Sequence, residues 1–201
     1  MLERAVEAGL ERILVPGWDV ASSEAALELS ARHPGLVDAA VGVHPHHARH
    51  MDEAAWTRLE GLVGDPRTRA IGEIGIDHFR NLSPPDVQRA VFDRQLELAG
   101  RHGLAVLVHD RDAHAEVTQA LVAWARTSGR GTPGVIHAFS GDVAMAHRLI
   151  AAGFLVSFAL PLTFRTAVGP RAAAPSLEAG TFLVETDSPY LGPDRDRVNE
   201  P

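Results

Sequence analysis

Seven short runs rich in Val, Ile and Leu recur along the chain, and this recurrence constrains the fold more than any other feature. They are Arg12 to Gly17, Val37 to His44, Arg69 to Asp77, Leu104 to Asp110, Gly134 to Ser140, Phe154 to Ala159 and Thr181 to Asp187. Helical stretches lie between most of them, and a βα alternation of this kind builds a parallel sheet. The runs are continuous rather than alternating, as expected when both faces of a strand are covered by helices or closed inside a barrel. The clearest helix is expected to start at Ser83 as N-cap, with Pro84 at the first helical position and Asp86 in the positive first turn. Phe92, Leu96 and Ala99, widened by Val91 and Leu98, form its apolar stripe, and Gly103 supplies the stop.

The ends of the runs decide between a barrel and an open doubly wound sheet. Val41-Gly42-Val43-His44-Pro45-His46, Ile71-Gly72-Glu73-Ile74-Gly75-Ile76-Asp77, Val106-Leu107-Val108-His109-Asp110 and Val135-Ile136-His137-Ala138 all finish on imidazoles or carboxylates. Leu183-Val184-Glu185-Thr186-Asp187-Ser188-Pro189 finishes on two carboxylates. Polar groups at the carboxyl ends of many strands converge at one mouth when the sheet closes. An open sheet would gather its site near one switch point and usually carry a Gly-rich phosphate loop, which is absent here. The expectation is an α/β chain whose parallel strands close into a β/α barrel. No low-complexity tract or linker divides it, so residues 1–201 are read as one domain.

Composition narrows the chemistry. With no Cys, thiolate metal sites, iron–sulfur clusters and a cysteine nucleophile are excluded, so a metal must be held by imidazole and carboxylate. The formal charge of -7, from 19 Lys plus Arg against 26 Asp plus Glu, makes a broad electrostatic grip on DNA a poor fit. Any nucleic acid must be handled by a local site. No apolar run approaches the roughly 20 residues of a membrane span, and Met1 opens into a charged amphipathic stretch rather than a signal peptide. A cytoplasmic location is expected, with no membrane association and no obligate protein partner.

Glu73, His109, His137 and Asp187 are distant in sequence and become neighbours only through such a fold. Two imidazoles and two carboxylates suit Zn, Mn, Fe or Mg, and a carboxylate such as Glu73 can bridge two ions. Such ions turn water into hydroxide near neutral pH and clamp carbonyl or phosphoryl oxygens, which is hydrolytic chemistry. Asp187 is placed to bind metal and to accept a proton from the attacking water. Arg80 and Arg111 follow the Glu73 and His109 runs, where a guanidinium can fork onto phosphate or pair with Asp77, Asp110 or Asp112. His44 and His46 join them as candidate substrate contacts, although His46, His78 and His114 also suit structural roles just beyond strand ends. His47, His50, His102 and His147 read as solvated. Trp18, Trp56 and Trp124 read as packing residues, with Trp18 near enough to a strand end to line the mouth.

Taken together, the ordered motifs resemble the TatD-type metal-dependent hydrolases of the amidohydrolase-like barrel superfamily. The resemblance rests on Gly42-Val43-His44-Pro45-His46, Gly72 through Asp77, Val108 through Ala113, Ile136 through Gly141, Glu185 through Leu191, and the closing Asn199-Glu200-Pro201. It implies a TIM-type (β/α)8 barrel with two divalent ions (Mg, Mn or Zn) that cleaves phosphodiesters, typically as a deoxyribonuclease acting from DNA ends. Glu73 would bridge the ions and join Asp187 in catalysis, His109 and His137 would complete one metal site, and Asp187 would serve the other. The family's Asp-x-His-x-His first strand and its final helix have no counterpart here, so an incomplete barrel with two open edges is expected. The segment Asp194-Arg195-Asp196-Arg197-Val198 also departs from the family's basic run, and Asp110 stands where a Ser is common. Two other readings keep the same scaffold: an esterase, lactonase or amidase, and a degenerate barrel that binds one metal or a partner without turnover.

Overall fold

In a computed structural model describing residues 1–192 and 199–201, seven parallel strands pair strictly in chain order. They are β1 (Ile13–Pro16), β2 (Val37–Val41), β3 (Thr68–Asp77), β4 (Ala105–Arg111), β5 (Gly134–Ile136), β6 (Leu155–Phe158) and β7 (Phe182–Val184). The helices are α1 (Leu2–Glu7), α2 (Val20–Arg32), α3 (Glu53–Val63), α4 (Pro85–His102), α5 (His114–Ser128), α6 (Val143–Ala151) and α7 (Val168–Ala173). A sheet whose order never reverses has no switch point and curls as a β/α barrel does. Among the described residues β1 pairs with β2 alone and β7 with β6 alone, so the barrel is incomplete. The Asp194–Val198 run lies outside the described residues. No described helix is long and apolar enough to cross a membrane.

Packing follows the runs for most of the sheet. Ile71, Ile74, Ile76, Val108, Ile136 and Val156 are fully buried between the strands and the helical layer. The exceptions are the edge strands: β1 has no fully buried residue and exposes Leu14, and in β7 Phe182, Leu183 and Val184 are all exposed, Val184 by 81%. The two-sided burial expected of a parallel strand therefore fails at both edges.

Several elements end earlier than their apolar runs. The second run was expected to extend to His44, yet β2 stops at Val41 because the next two residues bond to side chains of other elements. Ser23 Oγ donates to the Gly42 carbonyl (3.2 Å) and accepts its N–H (3.1 Å). Gln95 accepts the Val43 N–H (2.8 Å) and donates to its carbonyl (3.0 Å). Beyond them Pro45, which has no N–H, opens a short 3-10 turn over Pro45–His50. The fifth run was expected to reach Ser140, but β5 ends at Ile136, two residues before Ala138 adopts φ 43°. The last run likewise shortens from Thr181–Asp187 to Phe182–Val184.

The stripe on α4 is as expected, and Gly103 closes the helix in the left-handed region at φ 63°. The start is one residue later than expected: Pro84 is the N-cap and Pro85 opens the helix. Ser83 instead ties the Pro45–His50 turn down, donating to the His46 carbonyl (3.0 Å) and accepting the Arg49 N–H (3.1 Å). Asp19, Asp52 and Asp142 supply side-chain caps to α2, α3 and α6.

Candidate metal centre

Three elements deliver the tightest group of donors. His44 follows β2, Glu73 lies within β3 and His109 within β4, and one ligand atom from each falls within 4.8 Å of the others. Two metal–ligand bonds of about 2.0–2.2 Å span a similar distance, and the donors are the imidazole and carboxylate types that borderline divalent ions take. The residues therefore fit a metal ion.

The geometry within the group is specific. Glu73 Oε1 stands 3.1 Å from His109 Nδ1 and 3.7 Å from His44 Nε2. His109 Nε2 reaches Asp77 Oδ2 at 3.2 Å, so one imidazole spans two carboxylates. His46 Nε2 meets the same Asp77 oxygen at 2.8 Å, and the other Asp77 oxygen accepts the Arg80 N–H at 2.7 Å. The His44 ring sits edge-on to those of His46 and His109, with centroids 4.2 and 4.4 Å away.

Electrostatics sort these groups. Burial pushes His44 down to about 3, which keeps it neutral at pH 7 with a lone pair to offer. Burial works against a charged His109 too, but its hydrogen bonds to Asp77 and Glu73 prevail and raise it to about 9. Burial alone would raise Glu73, yet the His109 hydrogen bond and the neighbouring imidazoles hold it at about 2. Asp77 stays below the usual carboxylate range: hydrogen bonds from His109, Arg80 and His46 outweigh its burial.

Backbone contacts hold the carriers in place. Gln88 of α4 accepts the Asp77 N–H (2.8 Å) and donates to the carbonyls of Asp77 (3.2 Å) and Ser83 (2.8 Å). Gly75 pairs with His109 across β3 and β4 at φ 141°, and a Cβ there would stand 1.9 Å from the His109 carbonyl oxygen. Only glycine accommodates both the backbone angle and that approach.

His137 and Asp187, grouped with Glu73 and His109 in the sequence reading, form a neighbouring cluster with Glu185. His137 Nδ1 meets Glu185 Oε2 at 2.8 Å and its Nε2 meets Asp187 Oδ1 at 3.5 Å. The other Glu185 oxygen accepts the Ala138 N–H at 2.7 Å. Although burial opposes the charged form, hydrogen bonds to Asp187 and Glu185 raise His137 to about 11. His44, read from sequence as a substrate contact, thus stands among the donors, while His137 faces two carboxylates beside them.

The two arginines are exposed. Arg80 touches Asp77 through its peptide N–H rather than its guanidinium, and the Arg111 guanidinium lies 4.0 Å over the Phe79 ring. The side-chain pairing with Asp77, Asp110 or Asp112, the alternative to phosphate binding, is not formed among the described residues. His78 bonds Glu116 (3.0 Å) and His114 bonds Asp110 (2.9 Å). Trp56 and Trp124 pack as expected, whereas Trp18 is 54% exposed. Sequence reasoning passed over Asp77 and Glu185 as participants. Both had a signal: Asp77 closes an apolar run, and Glu185 lies two residues before Asp187, on the same side of an extended segment.

The chain is similar to known proteins along its whole length. The family described as TatD related DNase matches residues 1–201. The chain is 36% identical over 195 residues to the "3'-5' ssDNA/RNA exonuclease TatD" of Erwinia billingiae, covering 96% of this chain and 73% of that protein. It is also 36% identical to the "Uncharacterized metal-dependent hydrolase TatD" of Mycobacterium tuberculosis, over 100% of this chain and 77% of the relative. The crystal structure of YJJV, a TatD homologue from Escherichia coli, superimposes with a TM-score of 0.89 at 29% identity, covering 100% of this chain and 77% of that one. The family match over residues 1–201 and these relatives show that the chain belongs to the TatD related DNase family.

Proposed function

We propose that this chain is a metal-dependent hydrolase of phosphodiester bonds, a nuclease that removes nucleotides from the ends of DNA strands. The observation that carries the reading is the His44, Glu73 and His109 donor group that β2, β3 and β4 bring together, in a chain of this family. Relatives named as ssDNA/RNA exonucleases and as metal-dependent hydrolases support the same substrate and reaction class.

His44, Glu73 and His109 would hold one divalent ion, with His137 and Asp187 beside them for a second. Bound Mg, Mn or Zn supplies a hydroxide near neutral pH and charge to neutralise phosphoryl oxygens. Asp77 orients His109 and His46, as carboxylates behind metal-bound imidazoles do. Asp187, part-exposed and 3.5 Å from His137, accepts the proton of the attacking water, and Glu185 fixes the His137 ring from the other side. His46, Arg80 and Arg111 contact the incoming strand, the two arginines through exposed guanidinium groups that can meet phosphate oxygens in pairs. With a net charge of -7 the grip is local, and a bound metal rather than a basic surface would offset phosphate charge.

The test is digestion of end-labelled single-stranded DNA and RNA by the purified chain with Mg, Mn or Zn. The expected result is stepwise loss from one end, stopped by chelator and by Glu73→Ala. Absence of metal-dependent loss overturns the reading, as does activity that survives Glu73→Ala. Turnover of ester, lactone or amide substrates alone would move the reaction to acyl hydrolysis on the same scaffold.

A further inference from the structure

The aromatic rings of the chain sort by position. Trp18, Phe79, Phe164, Phe182 and Tyr190 are exposed, and the other rings are buried in the core or, for Trp124, packed against it. Phe182 belongs to the edge strand β7. The remaining four lie on loops that follow β1, β3, β6 and β7, at the end of the sheet where His44 follows β2 and Asp77 closes β3. Loops at the opposite end expose no ring among the described residues. Single exposed apolar residues are ordinary. Confinement of exposed rings to the end that carries the donors is not, and it points to a flat ligand there.

Trp18 is the ring tied most directly to the donors. Its carbonyl accepts the His44 N–H at 3.0 Å, and the carbonyl of Gly17 before it accepts the Glu73 N–H at 2.8 Å. Main chains joined in this way run about 5 Å apart, so Trp18 stands one chain width from two of the three donor residues. Its own N–H donates to Ser22 Oγ at 2.9 Å, which pins the main chain and leaves only the side-chain torsions free. A ring held on a fixed main chain offers a broad flat face at little cost in ordering. Phe79, by contrast, has the Arg111 guanidinium 4.0 Å over its ring, so one of its faces is covered.

We infer that Trp18 is a stacking platform for the substrate strand, its indole lying against the nucleobase next to the phosphodiester at the His44, Glu73 and His109 group. Every base presents a π face, and stacking on an aromatic side chain holds a single strand without regard to its sequence. Stacking also adds affinity without adding positive charge, which suits a chain of net charge -7. The inference rests on the nuclease reading for its strand, but stacking can be measured without turnover.

Two measurements test it. In the first, an oligothymidylate with phosphorothioate linkages, which resist hydrolysis, is titrated into the full chain with Mg while tryptophan emission is followed. Trp56 and Trp124 are packed in or against the core, so the indole open to a base is that of Trp18. The expected result is saturable quenching that is lost in Trp18→Leu, with affinity about tenfold weaker in that variant, as loss of one stacked base gives. Trp18→Phe, which keeps a flat ring, should restore most of the affinity. The side chain is exposed and the hydrogen bonds at Trp18 are made by its main chain, so both variants should keep the wild-type Tm. In the second, a single abasic residue is walked along a cleavable oligonucleotide. One position should raise KM several-fold with kcat kept, and Trp18→Leu should add nothing to the penalty there. No oligonucleotide binding, affinity unmoved by Trp18→Leu, or an abasic penalty equal in wild type and variant each overturns the platform. Trp18-dependent binding without strand cleavage upholds the platform and overturns the nuclease reading. Metal-dependent cleavage with KM indifferent to Trp18→Leu does the reverse.

Discussion

Asp77 carries more of the proposed centre's geometry than any residue that would touch an ion. Its two oxygens accept from the Arg80 peptide and meet both His46 and His109, all at 3.2 Å or less, while the side chain is 1% exposed. An amide has one acceptor oxygen, so it cannot accept from the Arg80 peptide and from the imidazoles together. Asp77→Asn is therefore expected to weaken divalent-metal affinity by about 10–100-fold, the usual cost of losing a carboxylate behind a ligand, as read by competition with a chelating dye. Affinity equal to wild type would show that His109 is held by other means. At Gly75 the limit is steric, since a Cβ would stand 1.9 Å from the His109 carbonyl. Gly75→Ala should lower stability by about 2–4 kcal/mol in denaturant titration, combining backbone strain with the forced displacement of β4.

Among the elements, α4 has a role that its sequence conceals. Gln88 and Gln95 are fully buried and grip the backbone at Asp77 and Val43, just where β3 and β2 give way to the loops of the site. Gln95→Leu preserves bulk and leaves the Val43 N–H and carbonyl unpaired, so a loss of about 2–4 kcal/mol is expected in urea unfolding. The strand order was legible because parallel buried strands write continuous apolar runs, and the stripe of α4 because Val91, Phe92, Leu96 and Ala99 repeat at helical spacing. The strand ends were not legible: Gly42 and Val43 look like strand in sequence, but Ser23 and Gln95, far along the chain, take their backbone groups. For the same reason a glutamine within an apolar stripe reads as solvent-facing when it is a clamp. The grouping of donors was partly legible. Glu73 and His109 meet as their strand ends suggested, whereas whether His44 or His137 joins them depends on turns after β2 and β5 that no periodicity reveals.

For the molecule as a whole, the sheet has two open margins among the described residues. β7 exposes Phe182, Leu183 and Val184, β1 exposes Leu14, and among the described residues neither strand has a second neighbour. Unpaired apolar edges template self-association. Val184→Lys should raise the concentration at which light scattering begins, with stability changed by no more than about 0.5 kcal/mol because Val184 is already 81% exposed. Scattering unchanged by the substitution would clear this edge of the role. The α4 clamps bear on motion at the same scale. Because Val43 and Asp77 give their amide hydrogens to buried glutamines rather than to a fraying ladder, freeing either one requires α4 to leave the sheet. In deuterated water these two loop-bordering amides should exchange as slowly as those of the central strands, so the mouth of the barrel is a place where loops begin but local opening does not.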